Sequence, residues 1–219
     1  MVLLCDNDIV LKLAAFGLLD ATIEALAGEE IFVLDTARHR LRKPGRCTRE
    51  KFTPEVINAA LEWTEAATPL NDPIDSDIAD AFVSAEYEDE EGAICRIDAG
   101  ELILFANAKA YPHAQLLTGD KKALYALGRH RENDSHAKAI HAALRQRVVC
   151  TEAAICLNIA NLGFKQARTC IAPARHCDNS TRVAFGAGLH TEESNAMEML
   201  NEYLSHCEKT LGENWLWRP

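Results

Sequence analysis

No run of apolar residues in this 219-residue chain approaches the roughly 18 needed to cross a bilayer, so a membrane-spanning helix is not expected. The opening Met1-Val2-Leu3-Leu4-Cys5-Asp6 lacks a basic n-region and meets an acid early, so no secretory signal is expected either. The eight cysteines include no C-x-x-C pair, and the one local cluster, Cys170, His176 and Cys177, lacks a fourth ligand. Reduced structural thiols and a cytoplasmic location follow as expectations. Positive charge is short overall: 23 Lys+Arg face 33 Asp+Glu, a net charge of −10, so nucleic acid is not bound through the overall field. Internal repeats and low-complexity segments are also absent from the sequence. At 48% apolar residues the chain still has ample material for a core.

What charge there is comes in blocks. Residues 38–51 read Arg-His-Arg-Leu-Arg-Lys-Pro-Gly-Arg-Cys-Thr-Arg-Glu-Lys, an exposed loop or helix end dense enough to contact phosphate through Arg38, Arg40, Arg42, Lys43 and Arg46. Residues 86–91 are its acidic counterpart and read as a solvated loop.

The pattern alternates strand and helix. Strands are expected at residues 2–5, 31–34, 115–118 and 147–150. Helices are expected at 8–26, at 53–67 behind the N-cap pair Thr53-Pro54, from Pro73 through Phe82, and at 98–110, 120–127 and 135–146. This order predicts an α/β fold, a three-layer α/β/α sandwich with a mostly parallel sheet of four or five strands, over residues 1–150. Beyond Thr151 the strand signal ends, and helices at 151–161 and 191–211 predict a helical C-terminal extension, residues 151–219. Trp215 and Trp217 near its end either anchor a partner or pack back onto the domain.

Three acidic signatures stand at element ends: Asp6-Asn7-Asp8 after the first strand, Asp98-Ala99-Gly100-Glu101 opening a helix, and Thr118-Gly119-Asp120 after the third strand. The carboxyl edge of an open parallel sheet is where ligands bind, and carboxylates gathered there call for a hard divalent cation. Each acid has a plainer reading as a helix cap, with Asp98 and Glu101 forming a capping box.

The run Leu3-Leu4-Cys5-Asp6-Asn7-Asp8-Ile9-Val10 resembles the opening of a PIN domain. Residues Ile97 to Ala108, through Gly100-Glu101, and Leu116-Leu117-Thr118-Gly119-Asp120 resemble its later acidic motifs. The resemblance covers residues 1 to about 150 and implies a metal-dependent nuclease acting on RNA. By resemblance, Asp6, Glu101 and Asp120 would be catalytic and, with Asp98, hold Mg²⁺ or Mn²⁺, supported by Asp8 and Thr118. It also implies a toxin-like setting, with an antitoxin or other protein on the C-terminal helices, and a homodimer. The family supplies another acid after the second strand. Here Asp35-Thr36-Ala37-Arg38-His39-Arg40-Leu41 is basic, leaving Asp98 or Asp35 to compensate. Two alternatives stay open. One is a degenerate PIN-like binding module. The other is a haloacid-dehalogenase-type phosphatase, whose first motif the same Asp6-Asn7-Asp8 segment resembles, with Asp6 as nucleophile and Asp8 as general acid. Against it, residues 123–126 after Gly119-Asp120 lack the further acid that family requires.

Overall fold

The computed structural model describes residues 1–70, 73–83 and 85–219. Its centre is β1 (Val2–Cys5), whose Leu3, Leu4 and Cys5 are buried, as a strand covered on both faces demands. Helices α1 (Asn7–Ala15) and α2 (Leu19–Ala25) follow, then β2 (Glu30–Leu34). The single helix expected over 8–26 is thus two, because Gly17 adopts a left-handed φ of +63° that ends the first.

The basic run forms α3 (Asp35–Arg42) and α4 (Arg46–Lys51), separated at Pro44-Gly45. Thr53 then caps α5 (Pro54–Ala66), accepting a bond from the Val56 amide. Strand β3 (Thr68–Leu70) lies on the sheet edge, where Pro69 is tolerated. Helix α6 (Ser76–Phe82) starts three residues later than Pro73 predicts, because Asp75 supplies the cap. The acidic block, expected as a loop, contains β4 (Glu86–Glu88), which pairs antiparallel with β5 (Ile94–Arg96). Asp89 closes that hairpin by accepting from the Glu91 and Ala93 amides.

Next come α7 (Ala99–Ala110), β6 (Gln115–Thr118), α8 (Lys121–His130), α9 (Ser135–Leu144) and β7 (Val148–Cys150). The main sheet is parallel, in the order β3-β2-β1-β6-β7. Helix α1 packs on α5 and α5 on α3, whereas α7 and α8 pack on α9. The fold is α/β, a five-stranded parallel sheet flanked by helices, consistent with a three-layer sandwich. The chain order reverses between β1 and β6, so the carboxyl ends of those two strands form the topological switch point.

The remaining residues form α10 (Thr151–Leu162), α11 (Phe164–Ala174), α12 (Asn179–Ala184) and α13 (Glu193–Leu211). Helix α10 packs on α2 and α13 packs on α8, and one buried apolar cluster runs from Leu3 to Leu216. The tail packs back. Trp215 is 1% exposed and donates its indole N–H to the His141 carbonyl at 3.0 Å. The Trp217 amide donates to the Val148 carbonyl, covering the open edge of β7. Among the described residues no cysteine is bridged, and no helix is long and apolar enough to cross a membrane.

Candidate functional site

Asp6 directly follows β1, and its amide donates to the Leu117 carbonyl of β6 at 2.9 Å, which fixes it at the switch point. It occupies the N-cap position of α1 without making a side-chain cap bond. The plain capping role therefore does not account for this acid. Burial, then the charges of Asp8 and Asp120, push its carboxyl up to about 7.

Asp120 follows β6 and does cap a helix: Oδ1 accepts from the Lys122 and Ala123 amides at 2.8 and 3.0 Å. Thr118 supports that turn, its hydroxyl oxygen accepting from the Asp120 amide at 3.2 Å. Asp98 and Glu101 form the expected capping box on α7. Glu101 Oε2 accepts from the Asp98 amide at 2.7 Å, and Asp98 Oδ1 from the Glu101 amide at 2.9 Å. Capping occupies one oxygen each of Asp120 and Glu101. The two carboxyl groups also lie in hydrogen-bond contact, and burial followed by the Asp120 charge holds Glu101 well above the usual carboxylate range. Two carboxyls sharing a bond must share a proton or bind a cation in its place.

Asp8 is engaged elsewhere. Its Oδ2 lies 2.6 Å from Lys12 Nζ, one turn along α1. Lys12 also meets Asp178 Oδ2 at 2.8 Å and donates to the Gly119 carbonyl at 3.2 Å. A side chain at Gly119 would overlap Asp8 Oδ2 and push that carboxylate aside, so glycine there lets the Asp8–Lys12 pair lie against the turn between β6 and α8.

Asp6, Asp8, Asp98, Glu101 and Asp120 all line one cleft of about 220 Å³, together with Arg40 and Thr48. Arg40 is 64% exposed, its Nη2 4.0 Å from Asp98 Oδ2. The other basic residues divide. Arg38, of the expected phosphate set, is engaged within the fold. Its guanidinium donates to the carbonyls of Thr64, Glu65 and Ala67 and so satisfies the C-terminal end of α5. Arg42 is paired with Glu65 at 2.5 Å and Arg46 with Glu50 at 2.6 Å, both on the surface, while Lys43 is exposed between the helices. Asp35 opens α3 as an exposed residue outside the cleft lining.

Among the described residues, no three His, Cys, Asp or Glu side chains form a preassembled metal cage. The caps explain this for the acidic cleft, because they aim one oxygen of Glu101 and one of Asp120 at backbone amides. The acids that line the cleft offer carboxylate oxygens, the donor type that a hard divalent cation takes.

Sequence reading passed over Lys12, Thr48 and Asp178. The spacing of Asp8 and Lys12 was the available signal for the first, as was Asp178-Asn179-Ser180-Thr181, a capping pattern, for the last. No family model, no curated protein and no solved structure matches this chain.

Proposed function

We propose that this chain is a PIN-like, metal-dependent ribonuclease whose working groups are Asp6, Glu101 and Asp120. One observation carries the reading: Asp6, at the end of β1, Glu101 and Asp120 line a single cleft that Arg40 also lines. A chain of net charge −10 has few ways to hold a polyanion, and Arg40 puts a guanidinium at the acidic cleft itself. Exposed Lys43 and Arg49, on or beside the same pair of helices, extend the positive strip outward for a single strand of RNA. A bound Mg²⁺ or Mn²⁺ would acidify a water and offset charge on the scissile phosphate. The protein's part is to fix Asp6 through the Leu117 carbonyl and Asp120 through Thr118, and to keep Asp8 neutralised by Lys12.

The Asp8–Lys12 pair counts against the phosphatase alternative, since it engages with an ammonium at 2.6 Å the side chain that reading needs as its general acid. The second reading with an observation behind it is the PIN-like binding module without activity, favoured by the cap bonds on Glu101 and Asp120. Cleavage of labelled single-stranded and structured RNAs in Mn²⁺, Mg²⁺ and EDTA, beside Asp120→Asn, separates the two. Cutting that needs metal and vanishes in the variant supports the nuclease. A folded wild type that binds RNA and cuts none of it sinks that reading in favour of the module.

A further inference from the structure

The C-terminal extension reaches the acidic site through two buried carboxylates: Glu152 of α10 lies 2.7 Å from Lys121 Nζ, beside Asp120, and Asp178 reaches Lys12. Asp178 caps α12, its Oδ1 accepting from the Thr181 amide at 3.1 Å and from the Ser180 hydroxyl at 2.5 Å. Its other oxygen, Oδ2, lies 2.8 Å from Lys12 Nζ. Both side chains are buried, 5% and 7% exposed. The three protons of the Lys12 ammonium match three acceptors: Asp8 on α1, Asp178 on the extension, and the carbonyl of Gly119 in the turn that carries Asp120. With Asp8 and the Gly119 carbonyl alone the buried ammonium would keep one proton without an acceptor, and the Asp178 carboxylate takes it. Asp8 Oδ2 and Lys12 Nζ sit over Gly119 in the space a Cβ would otherwise take, so the pair is seated directly on the turn.

We infer that Asp178 is a positioning residue of the candidate site: through Lys12 it locks the Gly119-Asp120 turn against α1. The extension is on this view a working part of the site, setting where Asp120 sits relative to Asp6. The inference deepens the proposed metal-dependent reading and rests on it only for its consequence on cation affinity. The joint itself is independent of any metal. Residues that orient a metal's carboxylates are known to tune affinity without touching the metal.

The test uses the full chain carrying Asp178→Asn, which keeps the shape of the side chain and one acceptor oxygen for the Thr181 cap, while removing the charge and the acceptor that faces Lys12. Amide hydrogen exchange over residues 118–122 and Mn²⁺ titration by calorimetry are read side by side, with Leu204→Ala in α13 as a control that weakens the core elsewhere. Exchange at 118–122 is expected to quicken selectively in Asp178→Asn and not in the control. The Mn²⁺ dissociation constant is expected to rise about tenfold, the scale seen for second-layer partners of metal ligands. Unchanged exchange at 118–122, in a folded variant, overturns the inference whatever the metal does. Quickened exchange together with a wild type that binds no Mn²⁺ keeps the joint and overturns the metal reading. Should Asp178→Asn not fold, Ser180→Ala retains the charge while releasing its anchor. It carries the same expectation at smaller amplitude, and unchanged exchange there is equally decisive.

Discussion

Glu101, in the first turn of α7, and Asp120, the cap of α8, flank β6 in the chain and bring their carboxyl groups together at one cleft. Their contact has a thermodynamic signature. Glu101 is held well above its ordinary 4.5, and Asp6 is raised from 3.8 to about 7. A carboxyl whose folded value is raised binds its proton more tightly when folded. That stability is complete below the unfolded value and is lost as pH rises through the folded one. Without metal, the melting temperature should therefore fall between about pH 5 and pH 9, and millimolar Mn²⁺ should cancel most of the fall. The Mn²⁺-induced shift is thus expected to be larger at about pH 8.5 than at about pH 5.5, where protons already occupy the site. Equal shifts at the two values would show that the cation binds elsewhere.

The same crowding makes charge removal at Glu101 stabilising. Glu101→Gln keeps the capping box, since glutamine fills that position equally well. It removes the repulsion from Asp120 and Asp98. At about pH 8 without metal the variant should gain ~0.5–2 kcal/mol by urea unfolding while losing metal-dependent cutting. Such opposed effects identify a site held under strain for function. A variant that loses both stability and cutting would mark Glu101 as a helix cap and nothing more.

Two of the three arginines of α3 should part company on mutation. Arg38 satisfies three carbonyls at the end of α5, so Arg38→Ala should cost ~1–3 kcal/mol of stability and leave the salt dependence of RNA binding untouched. Arg40 lines the cleft in an exposed position, so Arg40→Ala should leave stability within about 0.5 kcal/mol and lower the salt slope of RNA binding by about 1. Filter binding across a salt series reads the second effect directly. A slope lowered by Arg38→Ala instead would restore that residue to the RNA path.

Which parts of this were legible in the sequence follows from where the signal lies. Strands β1 and β6 read correctly to the residue, since each is a short segment built on a Leu-Leu pair and ending in a polar turn. Strand β3 did not, being three residues with a proline at its centre, a pattern that only a sheet edge permits. Strand β4 was hidden because its glutamates alternate around Tyr87 in a block whose charge dominates its periodicity. At the site, Asp6, Asp8, Glu101 and Asp120 were found because each stands at an element end. Lys12 was missed because a lysine on a helix reads as solvent-facing, and only the folded chain brings Asp178 to it. Arg38 was grouped with its neighbours for the mirror reason: a basic cluster looks uniform until the fold shows which guanidinium meets a helix end.

His141 carries a second pH dependence, opposite in sign to that of the acidic cleft. Burial, then the positive charge of Arg131 with a smaller part from Arg145, depresses its imidazole from 6.5 to about 4, against the Leu211 carbonyl. A histidine with a depressed folded value stays neutral when folded. Its contribution is complete above about pH 6.5 and is lost as pH falls from there towards 4. Wild type minus His141→Gln, compared by urea midpoint across that range, should therefore show a difference that shrinks on acidification. A difference constant with pH would mean that the imidazole titrates normally.

Trp215 tests whether the end of the chain is a separable anchor or part of the core. Its indole is 1% exposed, stacks on the His141 ring at 5.0 Å between centroids, and donates to the His141 carbonyl. Truncating it would open a cavity between α9 and the tail and leave that carbonyl without its partner, so Trp215→Ala should cost ~3–5 kcal/mol. Trp217 is only half-buried, and its contact with β7 runs through its backbone amide, which alanine retains. Trp217→Ala should therefore cost much less, about 1 kcal/mol. Equal and small losses in the two variants would mean that the tail dissociates from the domain. A large loss in Trp215→Ala alone would mean that a partner approaching this end meets a surface already closed by the chain itself.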